Sequence, residues 1–347
     1  MPRKPYVPPY GVTDAIIHFI AEISEQVGSI TIKKDYTVAA RLRRENQIRS
    51  IHSSLAIENN SLSLKQVTDI INGRRVLGPP NEIHEVKNAY EAYKLLLTFD
   101  PFRIEDILRA HKILMTDLTK EAGFFRSGGV GIFAGKHPVH MAPPARIVPK
   151  LMNDLFHWVK TTDAHPLIKS CVFHYEFEFI HPFADGNGRM GRMWQTLLLS
   201  RWKPLFAWLP VETLIRERQQ EYYDVLAAAD RAADSTVFVE FMLRAFRDSL
   251  KEFLHTEQVR EQVTDQVKKL MAALGGKTLS ARELLQRLGL KHRPTFAANY
   301  LRPALNLGLI EMTVPDKPNS SRQKYRAAVL LSRKTSHGAH GETRRKI

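Results

Sequence analysis

The hydrophobic pattern of the first 258 residues constrains the fold more than any other feature. Apolar side chains recur at three- and four-residue intervals, the spacing that places them on one face of a helix. The pattern runs through ARLRRENQIRSIHSSLAIE, IEDILRAHKILMTDL, VPKLMNDLFHWVK, LIKSCVFHYEFEFI, RMGRMWQTLLLSRW and RERQQEYYDVLAAADRAAD. We therefore predict an all-α core over residues 38–258, after an N-terminal arm over residues 1–37.

One segment interrupts the helical pattern. Residues 125–144, FRSGGVGIFAGKHPVHMAPP, combine glycines, β-forming residues and prolines. This composition is typical of a short hairpin that continues into an extended segment. We predict a β-hairpin flap on the surface of the helical core.

The last quarter of the chain has a different organisation and charge. Two short helical patterns precede two strand patterns over residues 259–331, the order of a winged helix-turn-helix domain. Residues 332–347 are predicted to be a disordered basic tail. From Val259 onward there are 18 Lys and Arg residues against 6 Asp and Glu, so most of the formal charge of +15 lies here. The excess favours DNA as a partner, through Arg293, Arg302, Arg322, Lys324 and Arg326. A winged helix can also dock proteins or form a dimer, so both alternatives remain open.

Composition excludes several classes of protein. No apolar run approaches the roughly 18 residues of a membrane span, and the proline-rich start lacks the apolar centre of a signal peptide. We therefore expect no membrane partner and a cytoplasmic location. Cys171 is the single cysteine, which excludes an intrachain disulfide and a cysteine metal cluster. Its apolar setting predicts a buried, structural thiol.

The stretch HPFADGNGRMGR, residues 181–192, predicts a loop that leads into a helix N-terminus. Such a junction binds phosphate through converging N–H groups and the helix dipole. Gly186 and Gly188 permit the necessary backbone conformations, and Asn187 offers a side-chain donor. Arg189 and Arg192 are spaced to reach phosphate oxygens from one helix face.

Two further residues of this stretch suggest chemistry. Asp185 is the best candidate for a Mg²⁺ ligand, since one carboxylate and phosphate oxygens are a usual ligand set. His181 suits a general base near neutral pH. Each residue alone is more often structural, but their combination within twelve positions favours a site.

The stretch matches the pattern of the filamentation induced by cAMP (Fic) family at every specified position: HPF, any residue, Asp or Glu, GNGR, two residues, Arg. The resemblance implies transfer of AMP from ATP to a hydroxyl of a target protein. In it His181 is the base, Asp185 holds Mg²⁺, the GNGR turn binds phosphate and Arg192 meets the γ-phosphate. Glycine at position 188 favours nucleotidyl transfer, because the related Doc kinases carry lysine there.

A second motif resembles the inhibitory motif of the same family. In SLAIENN, residues 54–60, the motif's positions are occupied by Ser54, Glu58 and Asn59. The resemblance implies that Glu58 pairs with Arg192 and occupies the place of the γ-phosphate. By itself the stretch would be an ordinary helix end.

Other expectations follow from the resemblance. Val130, Gly131 and Ile132 would hold a target segment by strand addition at the flap. The segment EYYDVLAAAD would place Tyr223, and with it Tyr222, near adenine. A position in the hydrophobic core is an equally good alternative for these tyrosines. We also expect a homodimer. Two alternatives remain: a DNA-binding regulator that uses the core as a nucleotide-sensing dimer scaffold, or removal of AMP at the same site.

Overall fold

A computed structural model describes residues 6–32, 40–134, 137–306, 309–315, 317, 320 and 322–327. The chain divides into two compact units, Met1–Leu254 and His255–Ile347. As the hydrophobic periodicity predicts, the first unit is built of helices with one small hairpin.

The helices of the first unit follow one another closely. They are α1 (Asp14–Ile32), α2 (Ala40–Ile57), α3 (Leu64–Ile71), α4 (Pro80–Lys94), α5 (Ile104–Met115), α6 (Val148–Thr161), α7 (Pro166–Ile180), α8 (Asn187–Trp202), α9 (Val211–Glu217) and α10 (Gln219–Ala232), and then α11 (Thr236–Leu274) begins. Short 3₁₀ turns occupy Leu96–Thr98, Ala145–Ile147 and Pro204–Trp208.

Helices α7 and α8 form the centre of the first unit. They pack against each other, and both are buried on most of their surface. A helix covered on most sides favours apolar side chains around its circumference, which explains Phe173, Phe177 and Trp194. Each such side chain contributes roughly 2–3 kcal/mol by burial. The loop between these helices is therefore held at both ends by largely buried helices.

Residues 14–32, which the sequence assigns to an N-terminal arm, form helix α1. Ile16, Ile23 and Val27 are buried in the main core. Their spacing of seven and four residues places them on one helix face. This segment is thus part of the helical core.

The expected flap is confirmed as a two-stranded antiparallel hairpin. Strand β1 (Gly131–Ala134) pairs with β2 (His137–Met141), with Gly131 opposite Met141 and Ile132 opposite His140. The register shifts between Ile132 and Phe133. Strand β2 lies beside α10.

The second unit has a core of its own. Its elements are β3 (Leu279–Ser280), α12 (Ala281–Arg287), α13 (Arg293–Phe296), a π-helical turn (Ala297–Leu301), α14 (Arg302–Asn306), β4 (Ile310–Met312) and β5 (Lys324–Ala327). The three strands form an antiparallel sheet in the order β3-β5-β4. Ser280 and Glu283 form the predicted capping box of α12. The predicted tail over residues 332–347 lies outside the described residues.

None of the described helices is both long enough and apolar enough to cross a bilayer.

Candidate functional site

The loop between α7 and α8 contains two left-handed residues. His181 caps α7 with φ 50° and ψ 59°, and Gly186 precedes α8 with φ 81°. Because the first-turn N–H groups of a helix lack intrahelical acceptors, the start of α8 offers donors to an anion. A β-carbon on Gly186 would lie 2.7 Å from Met115 Sδ, so this position needs glycine for space as well as for its φ angle.

Asn187 fixes the loop from within. Its Oδ1 accepts a hydrogen bond from the Phe183 N–H, and its Nδ2 donates to the Phe183 carbonyl, both at 2.9 Å. The side chain is 2% exposed. Asn187 therefore shapes the loop, whereas its predicted role was to donate to phosphate.

A buried histidine supports the loop from below. The His111 ring stacks on Phe183 with centroids 3.6 Å apart. Its Nδ1 accepts from the Gly123 N–H, which leaves the proton on Nε2 to bond the Asp185 carbonyl at 3.0 Å. Burial lowers the pKa of His111 to about 4, so the ring stays neutral. Phe183 is fully buried, as expected.

The backbone around His181 determines which ring nitrogen is basic. His181 Nδ1 lies 3.3 Å from the Glu178 carbonyl oxygen, which can only accept a hydrogen bond. Nδ1 therefore carries the proton in this contact, and Nε2 is the basic nitrogen. The His181 side chain is half-buried, so it remains reachable from solvent.

Arg126 joins the flap to this histidine. Its Nε donates to the His181 carbonyl at 2.7 Å, and its Nη1 donates to the Gly128 carbonyl at 2.8 Å. Its Nη2 contacts the carbonyls of Pro143 and Ile180. Arg126 is 3% exposed. One guanidinium thus connects both ends of the flap to the end of α7.

Arg192 is held by the segment that carries the second motif. Its Nη2 donates to Glu58 Oε1 at 2.8 Å and to the Ser54 carbonyl at 3.0 Å, and its Nε donates to Ser54 Oγ at 3.1 Å. Burial lowers the pKa of Arg192, but Glu58, Tyr222 and Glu178 together raise it above its usual value, so the guanidinium stays charged. Asn59 ends this helical segment with φ 68°, a conformation that asparagine tolerates well.

Gly188 lies directly beneath the Glu58 carboxylate. Its φ is not positive, so backbone freedom, which the sequence suggested, is not the reason for glycine here. A β-carbon at this position would lie 2.4 Å from Glu58 Oε1 and 2.9 Å from Arg192 Nη1. Glycine provides the space in which an anion can meet Arg192.

Arg189 points to different partners from Arg192. Its Nη2 donates to Asp185 Oδ1 and its Nη1 to Glu85 Oε1, both at 3.0 Å. Among the described residues its buried Nε has no hydrogen-bond partner. The two arginines of the loop are therefore each held by carboxylates, and Arg189 retains a buried N–H for a further acceptor.

Asp185 is placed where a cation could bind. Its side chain is 58% exposed at the mouth of the loop. Over the described part of the chain, no group of three or more His, Cys, Asp or Glu side chains could hold a metal ion. An ion at Asp185 would take one protein carboxylate and complete its shell with phosphate oxygens and water, a set that Mg²⁺ accepts. The residues present fit that ion.

The two tyrosines of α10 have different environments. Tyr222 is 2% exposed, and its hydroxyl lies 3.2 Å from His174 Nε2, so the core alternative holds for this residue. Tyr223 is 43% exposed and donates to the Ile57 carbonyl at 3.2 Å. Gln219 Nε2 donates to the same carbonyl at 3.0 Å. The exposed tyrosine thus contacts the end of α2.

The structure brings most of the predicted site residues together and adds others. His181, Asp185, Gly188, Arg189 and Arg192 surround one loop, with Ser54 and Glu58 against it. Val130 is partly buried just before β1, where Gly131 and Ile132 begin the strand. Sequence reasoning missed His111, Arg126 and Glu85. It also missed Asn60, whose Nδ2 donates to Glu85 Oε2 at 2.8 Å. Each acts through contacts with residues distant in the chain, and no local pattern distinguishes it.

Comparison with known families gives two matches along the chain. Residues 101–199 match the Fic/DOC family. Residues 265–328 match the C-terminal domain of the filamentation induced by cAMP protein Fic-like family. The first match includes the flap and the loop between α7 and α8.

The chain is also similar to solved structures and to curated proteins. A Fic family protein from Desulfovibrio desulfuricans G20 is 57% identical, with a TM-score of 0.73, over 93% of this chain and 99% of that one. The Fic-1 fragment from Caenorhabditis elegans shares the fold, with a TM-score of 0.59 and 22% identity over 70% of this chain and 73% of that one. Protein adenylyltransferase Fic from Aedes aegypti is 29% identical over 62% of this chain and 43% of its own length. The corresponding protein of Nematostella vectensis is 28% identical over 62% of this chain and 50% of its own length. The chain thus spans about half the length of these curated relatives.

Proposed function

Since the chain belongs to the Fic family, we propose that it is a protein adenylyltransferase that Glu58 holds in an inhibited state. One observation carries the proposal: the Glu58 carboxylate is bonded to Arg192 directly above Gly188, at the start of α8. An anion that belongs to the chain itself thus occupies a position suited to phosphate. Curated relatives of similar sequence are named protein adenylyltransferases.

The nucleotide phosphates would bind at the N-terminus of α8. The first-turn N–H groups supply donors, and the helix dipole favours negative charge. Arg192 would take the terminal phosphate after Glu58 leaves. Arg189 adds a buried donor, its Nε, which has no partner within the described part of the chain. Mg²⁺ at Asp185 would neutralise part of the phosphate charge and orient the chain of phosphates.

His181 is suited to remove the proton from the target hydroxyl. Because Nδ1 bonds the Glu178 carbonyl, Nε2 is the nitrogen that accepts this proton. The hydroxyl oxygen then attacks the α-phosphorus, a new P–O bond forms and the bond to the β-phosphate oxygen breaks. AMP remains on the target, and pyrophosphate leaves.

The target segment would align along the flap. Strand addition to an exposed edge uses backbone hydrogen bonds and fixes which side chain faces the base. Arg126 ties the ends of the flap to the backbone of His181, which gives the strand a fixed position relative to the base. We propose that the target enters beside Val130, Gly131 and Ile132.

Intact-mass spectrometry tests the proposal. The wild-type, Glu58→Gly and His181→Ala proteins are incubated with Mg²⁺ and ATP, and the covalent addition of AMP is measured. We expect Glu58→Gly to raise self-modification by about tenfold or more, because a charge-assisted bond to Arg192 no longer competes with phosphate. His181→Ala should abolish modification and retain ATP binding. A Glu58→Gly protein no more active than wild type would refute the inhibition.

A second role for the C-terminal unit rests on its charge. Arg293, Arg302, Arg322, Lys324 and Arg326 all have exposed side chains. Arg293 and Arg302 begin α13 and α14, Lys324 and Arg326 lie on β5, and Arg322 precedes that strand. Exposed Lys and Arg side chains are the groups that contact nucleic-acid phosphates. We propose DNA as a ligand of this unit, alongside the enzymatic role of the first.

A further inference from the structure

A single carboxylate on α4 connects the inhibitory segment to the phosphate-binding loop. Glu85 Oε1 accepts from Arg189 Nη1 at 3.0 Å, and Glu85 Oε2 accepts from Asn60 Nδ2 at 2.8 Å. Asn60 lies two residues beyond Glu58, and Arg189 lies in the first turn of α8. Each oxygen of Glu85 is therefore bonded to a different element of the site.

Asn60 anchors the turn that presents Glu58. Its backbone N–H donates to the Leu55 carbonyl, which closes the end of α2. Its side chain donates to the Glu82 carbonyl and the Glu85 carboxylate, and its Oδ1 accepts from the Leu62 N–H. Asn60 is 7% exposed. The next residue, Ser61, donates its N–H and its hydroxyl to the Glu82 carboxylate. The turn is thus fixed to α4 at two adjacent residues, and Glu85 provides the charged contact to Asn60.

Arg189 is the other end of the same connection. Its side chain is 6% exposed and shared between Glu85 and Asp185. In this arrangement two carboxylates compensate the charge of a residue suited to bind phosphate. The carboxylates occupy Nη1 and Nη2, and among the described residues the buried Nε has no partner, so a phosphate oxygen can bind it without displacing Glu85.

We infer that Glu85 is a positioning residue that holds Asn60 and Arg189 together, so that the inhibitory turn and the phosphate-binding arginine are restrained as one unit. The inference rests on the proposed function, since it assumes that nucleotide phosphates bind at this loop. In the inhibited state Glu85 fixes the turn that presents Glu58 to Arg192, and it neutralises part of the charge of Arg189. Phosphate can displace Glu58 only if the hydrogen bond between Asn60 and Glu85 breaks as well.

The substitution Glu85→Gln separates this role from a general effect on packing. An amide of the same shape has one acceptor and one donor group. It can bond Arg189 or Asn60 as Glu85 does, but not both, because a donor would face a donor at the other end. Asn60→Ala removes the connection on the inhibitory side alone. Glu91→Gln is the matched control on the same helix, since Glu91 accepts from Lys94 at the surface.

The test uses the full chain in the wild-type and Glu58→Gly backgrounds. Binding of a fluorescent ATP analogue is measured at equilibrium, and AMP incorporation is measured by intact mass. In the wild-type background, Glu85→Gln and Asn60→Ala should each raise affinity and incorporation by about fivefold, because a charge-assisted contact of the inhibitory turn is lost. In the Glu58→Gly background the change should be less than about twofold, since no inhibitory carboxylate remains to be released. Glu91→Gln should change neither the affinity nor the incorporation in either background.

Equal effects of Glu85→Gln in both backgrounds would overturn the inference, since Glu85 would then support Arg189 independently of Glu58. No effect in either background would also overturn it. Thermal denaturation of every variant identifies a loss of folding, and in that case Asn60→Ala decides the outcome. If Glu58→Gly binds the analogue but gains no AMP, the adenylyltransferase proposal fails while the affinities still test Glu85. If no variant binds the analogue, both proposals fail.

Discussion

The Glu58 carboxylate lies so close above Gly188 that a β-carbon there would be 2.4 Å from Glu58 Oε1. The glycine and the acid therefore depend on each other, although 130 positions separate them in the chain. A carboxylate and a phosphate both accept from Arg192, and both need the space that Gly188 leaves. Inhibition in the proposed mechanism is thus competition between two anions for one set of donors.

This contact can be tested through stability. Alanine at position 188 should stabilise α8 by up to about 1 kcal/mol relative to glycine. In the wild-type background we expect most of this gain to be lost, because the new methyl group displaces Glu58 from Arg192. In the Glu58→Gly background the gain should appear in full, apart from a small shift of Arg192. Urea denaturation of the wild type, Gly188→Ala, Glu58→Gly and the double variant measures the coupling energy between positions 58 and 188. Strictly additive changes in unfolding free energy would show that the two residues are not in contact.

Substitution of Arg126 should disturb the flap and the base together. Arg126→Lys leaves one nitrogen to serve the carbonyls of Gly128, Pro143, Ile180 and His181. An ammonium has three N–H donors on one atom, so at least one of these four carbonyls loses its partner, and we expect a loss of about 1–3 kcal/mol of stability. The KM for an acceptor peptide should rise, and ATP affinity should stay unchanged.

Arg146→Lys is the matched control for that experiment, since Arg146 is exposed just after the flap. Wild-type stability in Arg126→Lys would contradict the role assigned to the carbonyl contacts.

Glu176 should make stability depend on pH. Burial raises the pKa of this carboxyl from 4.5 to about 7, the Tyr6 hydrogen bond lowers it, and the charge of Asp230 raises it. A carboxyl whose pKa is raised by folding stabilises the protein when protonated, so its contribution is present below pH 4.5 and lost as the pH rises through 7. Relative to wild type, Glu176→Gln should gain about 3 kcal/mol between pH 4.5 and pH 8.

Urea denaturation at several pH values measures this difference. Tyr6→Phe provides a second test, because loss of the hydrogen bond to the carboxylate should move the transition to higher pH. A difference between Glu176→Gln and wild type that is constant with pH would mean that Glu176 does not titrate in this range.

The charge of the C-terminal unit predicts binding to duplex DNA that weakens steeply with salt. Each phosphate contact releases about 0.9 counterion, so the plot of log K against log salt has a negative slope. Removal of one contacting cation should make that slope less negative by about one. Arg302→Ala and Arg322→Ala test two exposed positions by fluorescence anisotropy at several salt concentrations. A flat salt dependence would exclude phosphate contacts by this unit.

Much of the site could be predicted from the sequence, because it lies in two short motifs. The loop, its left-handed glycine and the acid that meets Arg192 all occupy positions that local spacing or family resemblance indicates. The flap was predictable for the same reason, since glycines and β-forming residues interrupt a helical pattern at residues 125–144.

The supporting contacts were not predictable, because they depend on which distant segments the fold brings together. His111 resembles any polar residue in an amphipathic helix until α5 lies against Phe183. For Asn187 and Tyr222 the sequence predicted contacts with the nucleotide, whereas in the structure both side chains contact the protein itself. Asn187 bonds the backbone of its own loop, and Tyr222 falls on the buried face of α10 although its neighbour Tyr223 is exposed.

Among the described residues, the guanidinium of Arg126 hydrogen-bonds to backbone carbonyl oxygens, at the two ends of the flap and the end of α7. Every amino acid supplies such a carbonyl. Mutations that change the side chains between those anchor points therefore leave the junction with the base intact. In the proposed mechanism, target preference and catalytic geometry can therefore vary separately during evolution: the flap can acquire new partners while the chemistry at His181 is inherited unchanged.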